Sequence, residues 1–474
     1  MNKFLKAFLL LLLPGISNAQ NIDVFTCDTA MTNASVSVCI LDAVTGGPVF
    51  EYDSGRSLKP ASIMKLITSA SALELLGSGY TFSTTISYSG VIKKSGKLEG
   101  DIIIKGGGDP AFASENFPEY YRQFPSGWID EVKKLGIKKI NGRIITDDSY
   151  FDYHPIPSGW LWEDAGNYYG AGVYGAAIYD NTYRIHFNTM SGDTPVITFI
   201  DPVECNYNLV NNLKTSGVKD EGYVYSIPYS VGGWIAGTIP GKREDFVLRA
   251  SIPDPPLIMA KIVDRELRAA GIEITSLPST YRLLDRSFEN IIEISKIKSP
   301  PLSEIIEMLN HESVNLYAET LVKEIGKKFG GEGSTEAGLN VVREFLTTRG
   351  IDTKGMYIED GSGLSPVNAL NSKNMASLLL YMKTSGKFFD IFLNSFPEAG
   401  NEGTLKNRFT DEVFKTHLKT KSGSMTRVRC YAGYVTTNSG RDLVFCIMAN
   451  NFSGSSGSVI PLFETFLKDL IISY

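Results

Sequence analysis

The two ends of this chain read alike and its middle does not, and that break in texture limits what it can fold into. Ala34 to Leu41 alternates and is rich in β-branched residues, so it reads as a strand, with Asp42 to Gly47 a turn and Val49 to Tyr52 the return strand. Pro60 then opens a helix whose apolar face is Ile63, Leu66, Ile67, Ala70, Leu73 and Leu76, and Gly77 closes it. Helical periodicity returns over Leu302 to Phe329, Thr335 to Arg349 and Ser372 to Lys383. Strands follow at His417 to Lys421, Arg429 to Thr436 and Leu443 to Ala449, with a last amphipathic helix over Val459 to Ile472. Between these ends, from about Thr81 to Asp285, Tyr, Gly, Asn and Asp are frequent and the strands short, as at Asp101 to Ile104, Arg143 to Thr146 and Arg184 to Phe187. A helix over Pro256 to Gly271 lies near the end of that region. The pattern is an α/β domain split by a mainly β insertion.

A chain of 474 residues, 43% hydrophobic and 21% charged, is long enough for about three domains and has the composition of a folded protein. The expected division is 20–85 with 286–474 as one α/β domain, and 86–285 as the insertion, in two nested subdomains. Residues 1–19 stand apart. Lys3 and Lys6 precede an apolar run from Ala7 to Leu13, and Ser17-Asn18-Ala19 follows with small residues at a cleavage site. That order is a secretory signal peptide cut after Ala19. An anchor helix is the alternative, but the run is too short to span a hydrocarbon core of about 30 Å. No later stretch is long and apolar enough to cross a membrane. Cleavage removes two lysines and no acids, taking the net charge from −6 to −8. An acidic surface argues against a nucleic-acid partner.

Five cysteines are spaced in no zinc pattern, and an odd number in an exported chain leaves at least one thiol unpaired. Cys430 and Cys446 flank a hairpin turn, which leaves a cross-strand disulfide and two buried thiols equally open. Four scattered histidines give no metal-ligand spacing. Neither a metal nor another cofactor is expected.

Ser62-Ile-Met-Lys65 places a hydroxyl and an amine at i,i+3 on one face of a helix start, where the helix dipole favours developing negative charge. A neutral lysine can take the serine proton if burial and a neighbouring cation lower its pKa. The motif alone is weak, since Ser295-Lys-Ile-Lys298 repeats it. Ser313-Val-Asn315 lies at the start of another helix, and Ser372-Lys-Asn374 is its decoy, better read as a helix cap. Lys421-Ser-Gly423 ends a strand, followed by Ser424, and Lys94-Ser-Gly96 is its decoy in an exposed turn. Gly106-Gly-Gly-Asp-Pro110 is followed by no Gly-Lys-Ser/Thr and reads as a tight turn, not a phosphate loop.

Taken in order, Ser-x-x-Lys, Ser-x-Asn and Lys-Ser-Gly resemble the penicillin-binding and serine β-lactamase superfamily. Ser62 and Ser313 lie 251 positions apart (313 − 62), more than the small members hold there, and the excess is the β material. The chain is similar to the D-Ala-D-Ala carboxypeptidase family S13, of the penicillin-binding protein 4 type (class C low-molecular-mass). Further stretches add to that likeness: Asp147-Asp-Ser-Tyr-Phe151, Gly159-Trp-Leu-Trp162 and Asp360-Gly-Ser-Gly-Leu-Ser365.

The resemblance implies an acyl-enzyme on Ser62, with Lys65 as base, Ser313 relaying a proton to the leaving amine and Asn315 orienting Lys65. It implies that Lys421, Ser422, Gly423 and Ser424 bind substrate, Lys421 and Ser422 holding its terminal carboxylate and the Ser62 and Ser424 amides forming the oxyanion hole. Asp164 and Tyr169 are implied contacts to the amino end of the third peptide residue. The implied partners are peptidoglycan stem peptides, with β-lactams as covalent inhibitors, and the implied compartment is the periplasm. A β-lactamase and an acylated binding or scaffold protein are the competing readings. Val314 stands where the family often has Asp, Ser422 where it has Thr, and Pro366 where an Arg often follows Gly-Leu-Ser.

Overall fold

The computed structural model describes residues 19–216, 219–284 and 287–474. The expected signal peptide therefore falls, but for its last residue, outside the described residues.

The two chain ends share one antiparallel sheet. Its strand order is Leu418–Met425, Val428–Thr436, Asp442–Asn450, Ser35–Asp42 and Pro48–Tyr52. Successive residues point to opposite faces, and both faces are covered. Cys39, Leu41, Ala432 and Met448 face one core with helices Met64–Leu76 and Ser372–Ser385. Val38, Ile40, Tyr431 and Ile447 face a second core with Phe463, Phe466 and Leu470 of helix Ser456–Ser473. Phe25 of helix Ala19–Thr26 stacks edge-on against Phe463 at 5.0 Å and seals that layer.

Among the described residues the middle of the chain builds four further sheets. One has five strands in the order Ser279–Thr280, Ile144–Asp147, Ile102–Lys105, Ser83–Tyr88 and Ile292–Lys298. A four-stranded sheet contains Val91–Ile92, Lys97–Glu99, Lys139–Ile140 and Glu273–Ile274. Two three-stranded sheets, built from strands between Thr182 and Ser251, are nested within that span of sequence. Ser83–Tyr88 pairs with Ile292–Lys298, so the inserted sheet takes in a few residues on either side of 86–285.

The helical stretch expected from Leu302 to Phe329 is two helices, Leu302–His311 and Asn315–Phe329. Ser313 breaks it with a left-handed φ of 59°. Sequence periodicity carries across this break because the apolar faces of both helices enter the same core. The last strand pair decides between the two cysteine readings in favour of buried thiols. Cys430 lies opposite Met448 and Cys446 opposite Ala432, so the hairpin does not bring the two cysteines into register. Cys446 faces Cys39 on the other side, and all five thiols are free.

Among the described residues no helix is long and apolar enough to cross a membrane.

Candidate active site

Ser62 sits one turn earlier than a simple helix start would put it. Pro60 precedes a short 3-10 turn, Ala61–Ile63, and the α-helix proper begins at Met64. Ala61 takes a left-handed φ of 47°, and the chain bends there to present Ser62 while Lys65 enters the first α-helical turn. Backbone strain at such a position is kept only where the surroundings enforce it. They do so from two sides. Gly363, at φ 83°, lies where a Cβ would meet the Ala61 carbonyl oxygen at 1.9 Å. A Cβ at Gly423 would stand 2.6 Å from the Pro60 carbonyl oxygen and 3.0 Å from the Ser62 nitrogen. The strand carrying Lys-Ser-Gly thus passes directly against the backbone of Ser62. Gly423→Ala should therefore push strand and turn apart, costing about 1–3 kcal/mol of stability and slowing acylation. Thermal melting with nitrocefin acylation kinetics checks this, and a variant acylated at the normal rate would contradict it.

Lys65 is fully buried. Its Nζ donates to Ser62 Oγ at 3.1 Å, to Asn315 Oδ1 at 2.5 Å and to the Ser362 carbonyl at 2.8 Å. Burial lowers its pKa to about 7, against the opposing pull of Asp360 and Glu319. Ser313 Oγ accepts from Lys421 Nζ at 2.9 Å, and Lys421 also donates to the Ser422 carbonyl at 3.0 Å. Burial, then Lys65 and then Arg429, push Lys421 well below its ordinary value. The structure thus brings Ser62, Lys65 and Asn315 into one hydrogen-bonded group and Ser313 with Lys421 into another. Lys65 and Lys421 are near enough for one charge to disfavour the other.

Lys421-Ser-Gly423 lies inside strand Leu418–Met425, not at its end as the sequence suggests, because the hairpin to Val428–Thr436 is tight. This is the edge strand of the sheet. Apart from one isolated bridge, Lys419 with Glu398, its outer side pairs with no strand among the described residues. An edge of that kind can accept an extended peptide through main-chain hydrogen bonds. Ser422 Oγ donates to Thr404 Oγ1 at 3.1 Å, and Ser424 is exposed.

Tyr169 belongs to the insertion, and its carbonyl accepts from Asn315 Nδ2 at 2.7 Å. Its hydroxyl donates to Asp164 Oδ1 at 3.2 Å, and burial raises the Asp164 carboxyl. Tyr169 lines a groove of about 770 Å³ together with Ser313 and Asn315.

Sequence reasoning missed the groups that hold the lysine in place. Glu319, one turn after Asn315, accepts the Gly361 and Ser362 amides at 3.0 and 2.7 Å. Asp360 accepts the Gly363 and Ser365 amides and the Trp160 indole N–H, the last at 2.8 Å. Together they fold the 360–365 loop so that the Ser362 carbonyl faces Lys65. Burial, then Asp360, raises the pKa of Glu319. The available signal was an acid at i+4 from Asn315 among Ala318, Leu321 and Val322 on a buried face.

The decoys lie elsewhere. Ser295 and Lys298 are on the inserted strand Ile292–Lys298, and Ser295 pairs with Ile86. Ser372 and Asn374 open a helix capped by Asn371, with Asn374 returning the cap bond. Lys94 is in an exposed turn. Gly106 to Gly108 pack where a Cβ would strike backbone or aromatic atoms, and buried Asp109 accepts from Tyr121, so the segment is structural. Ser295→Ala should leave penicillin acylation unchanged and stability within about 0.5 kcal/mol; loss of labelling would mean that the wrong pair carries the chemistry.

Residues 18–460 match the model of the D-Ala-D-Ala carboxypeptidase 3 (S13) family. The chain belongs to that family. As an S13 member it is 27% identical to the D-alanyl-D-alanine carboxypeptidase of Actinomadura sp., over 92% of this chain and 81% of the relative. It is 25% identical to D-alanyl-D-alanine carboxypeptidase DacB of Haemophilus influenzae, over 85% and 83% of the two chains. Among solved structures it resembles penicillin binding protein 4 of Haemophilus influenzae, with a TM-score of 0.81 at 22% identity, covering 96% of this chain and 99% of the other. That likeness fixes the S13 chain's fold as multidomain α/β.

Proposed function

We propose that the chain is a serine D-alanyl-D-alanine carboxypeptidase that cleaves peptidoglycan stem peptides through an acyl-enzyme on Ser62. The observation that carries the reading is the buried Lys65 amine, 3.1 Å from Ser62 Oγ, with a pKa brought down to about 7. Ser62 Oγ bonds to the carbonyl carbon between the two D-alanines as Lys65 takes its proton. The carbon–nitrogen bond then breaks, and Ser313 relays a proton to the leaving amine. Asn315 orients Lys65. The Ser62 and Ser424 amides hold the oxyanion, each such donor being worth roughly 3 kcal/mol. Water, deprotonated by the same base, hydrolyses the ester and frees Ser62. Asp164 and Tyr169 meet the amino end of the peptide's third residue.

Lys421 and Ser422 hold the terminal carboxylate. A carboxylate laid against Lys421 raises the pKa that burial has lowered, so substrate binding draws a proton onto Lys421. That charge in turn favours neutral Lys65.

β-Lactams acylate Ser62 by the same route, and the chain acts in the periplasm after cleavage behind Ala19. Its domains are 20–85 with 286–474, which carry the catalytic groups, and the inserted 86–285. A cross-linked peptide is a second substrate, since Ser313 lines a groove of about 770 Å³, room for a leaving group larger than one alanine. The test is digestion of purified peptidoglycan followed by mass analysis. Free D-alanine and tetrapeptide products are expected, with monomers from dimers if endopeptidase action accompanies it. Intact pentapeptides after prolonged digestion would refute the reading.

Lys65 must be neutral to accept a proton, and it is protonated below a pKa of about 7. Acylation by nitrocefin should therefore fall about tenfold per pH unit below that point and level off above it. A flat profile through pH 7 would remove Lys65 as the base.

A further inference from the structure

We infer that an exposed aromatic platform formed by Trp162, Tyr225 and Trp234 binds the sugar backbone of peptidoglycan. The inference rests on the proposed substrate and goes beyond it, since the peptide site makes no use of these rings.

Tyr225 and Trp234 face each other across neighbouring strands and stack at 5.1 Å, only 6° from parallel. Trp162 closes the cluster at 5.4 Å from Tyr225 and 5.8 Å from Trp234. Trp162 is 54% and Trp234 41% exposed, so two of the chain's four tryptophans stand at the surface together. Grouped exposed aromatics mark a binding surface more often than solitary ones do. Among the described residues no cation lies over any of the three rings. A flat, uncharged ligand suits such faces. Pyranose rings present C–H groups on one face, which meet the negative face of an aromatic ring.

Position favours a sugar over a protein partner. Tyr223 and Tyr225 alternate on one strand and so share a sheet face. Tyr223 lines the groove with Tyr169, Ser313 and Asn315, so one continuous face runs from that groove to the platform. Trp162 lies two residues before Asp164, at the proposed amino-end side of the peptide. In peptidoglycan the stem peptide is joined at its amino end to a sugar, so sugars must follow in that direction.

The platform is also held in register with the catalytic loop. Trp160 donates to Asp360, and Ser365 Oγ donates to the Gly159 carbonyl at 3.2 Å. Asn167 accepts the Val224 amide at 3.1 Å and donates to the Glu163 carbonyl at 2.7 Å. The loop is thus tied to the catalytic side at one end and to the platform's sheet at the other.

The test uses the mature protein with two probes: glycan strands stripped of peptide by an amidase, and a short acetylated peptide ending in D-Ala-D-Ala. Glycan strands should change the tryptophan fluorescence of the wild type saturably. By isothermal titration calorimetry, which does not depend on the deleted rings, the Trp162→Ala, Trp234→Ala double variant should lose at least about tenfold in glycan affinity, and an unchanged affinity would overturn the inference. The double variant should also release D-alanine from whole sacculi more slowly, yet match the wild type on the short peptide. Trp162→Phe, which keeps a ring, should retain most of the glycan binding. No fluorescence response in the wild type would overturn the inference, and that is the result a protein-docking surface would give. Equal losses on sacculi and short peptide would also overturn it, by making the rings part of the peptide cleft. Failure of the wild type to turn over the short peptide would count against the proposed reaction alone, because glycan binding is read without turnover.

Discussion

Ser62→Ala should lower D-alanine release by about 10⁵–10⁶-fold and abolish covalent labelling by penicillin. Removing the nucleophile from a hydrolase that works through an acyl-serine costs about that much, because base, oxyanion donors and nucleophile act as one unit. The substitution deletes one oxygen at a half-buried position, and the fold has little stake in it. Ser62 Oγ accepts from Lys65, which keeps Asn315 and the Ser362 carbonyl as partners when the hydroxyl is gone. The melting temperature should therefore stay near that of the wild type. Intact-mass spectrometry after incubation with benzylpenicillin reads the result. A retained adduct on the folded variant would show that another residue is the nucleophile.

Lys65→Ala should slow acylation by roughly 10²–10⁴-fold, the usual contribution of a positioned general base. This substitution is structurally larger. It leaves Asn315 Oδ1 and the Ser362 carbonyl without their donor, at a fully buried position. A stability loss of about 1–3 kcal/mol is expected for such orphaned buried acceptors. Acylation kinetics and thermal melting must therefore be measured on the same sample. Lys65→Arg is the informative companion, since it keeps a donor but cannot become neutral near pH 7. It should be as slow as the alanine variant while recovering part of the stability. Wild-type acylation rates in either variant would take Lys65 out of the chemistry.

Much of this was legible in the sequence because the signals were local. Ser62 and Lys65 lie on one helical turn, and strands at both ends with helices between them mark one split α/β domain. The order of the three motifs then carried information that none of them held alone. What stayed hidden depends on contacts between distant segments. Glu319 and Asp360 shape the loop whose carbonyl holds Lys65, but in sequence they are a buried helical acid and one residue of a glycine-rich stretch. The break at Ser313 was hidden because helix periodicity reports which residues are apolar and is blind to a single left-handed residue between two helices. The choice between a Cys430–Cys446 disulfide and two buried thiols stayed open for a related reason. Cys430 and Cys446 flank a turn, yet the hairpin's register sets Cys446 against Ala432. Turn position in sequence does not fix that register.

The most direct test of the central claim is to trap the acyl-enzyme of the wild-type protein with benzylpenicillin, digest it and map the modified residue by tandem mass spectrometry. Convergence of the three motifs on one cleft predicts a single penicilloyl adduct on Ser62, formed more slowly as the pH falls below about 7. An adduct on Ser295, Ser313 or any other residue, or no adduct on protein shown to be folded, would contradict it.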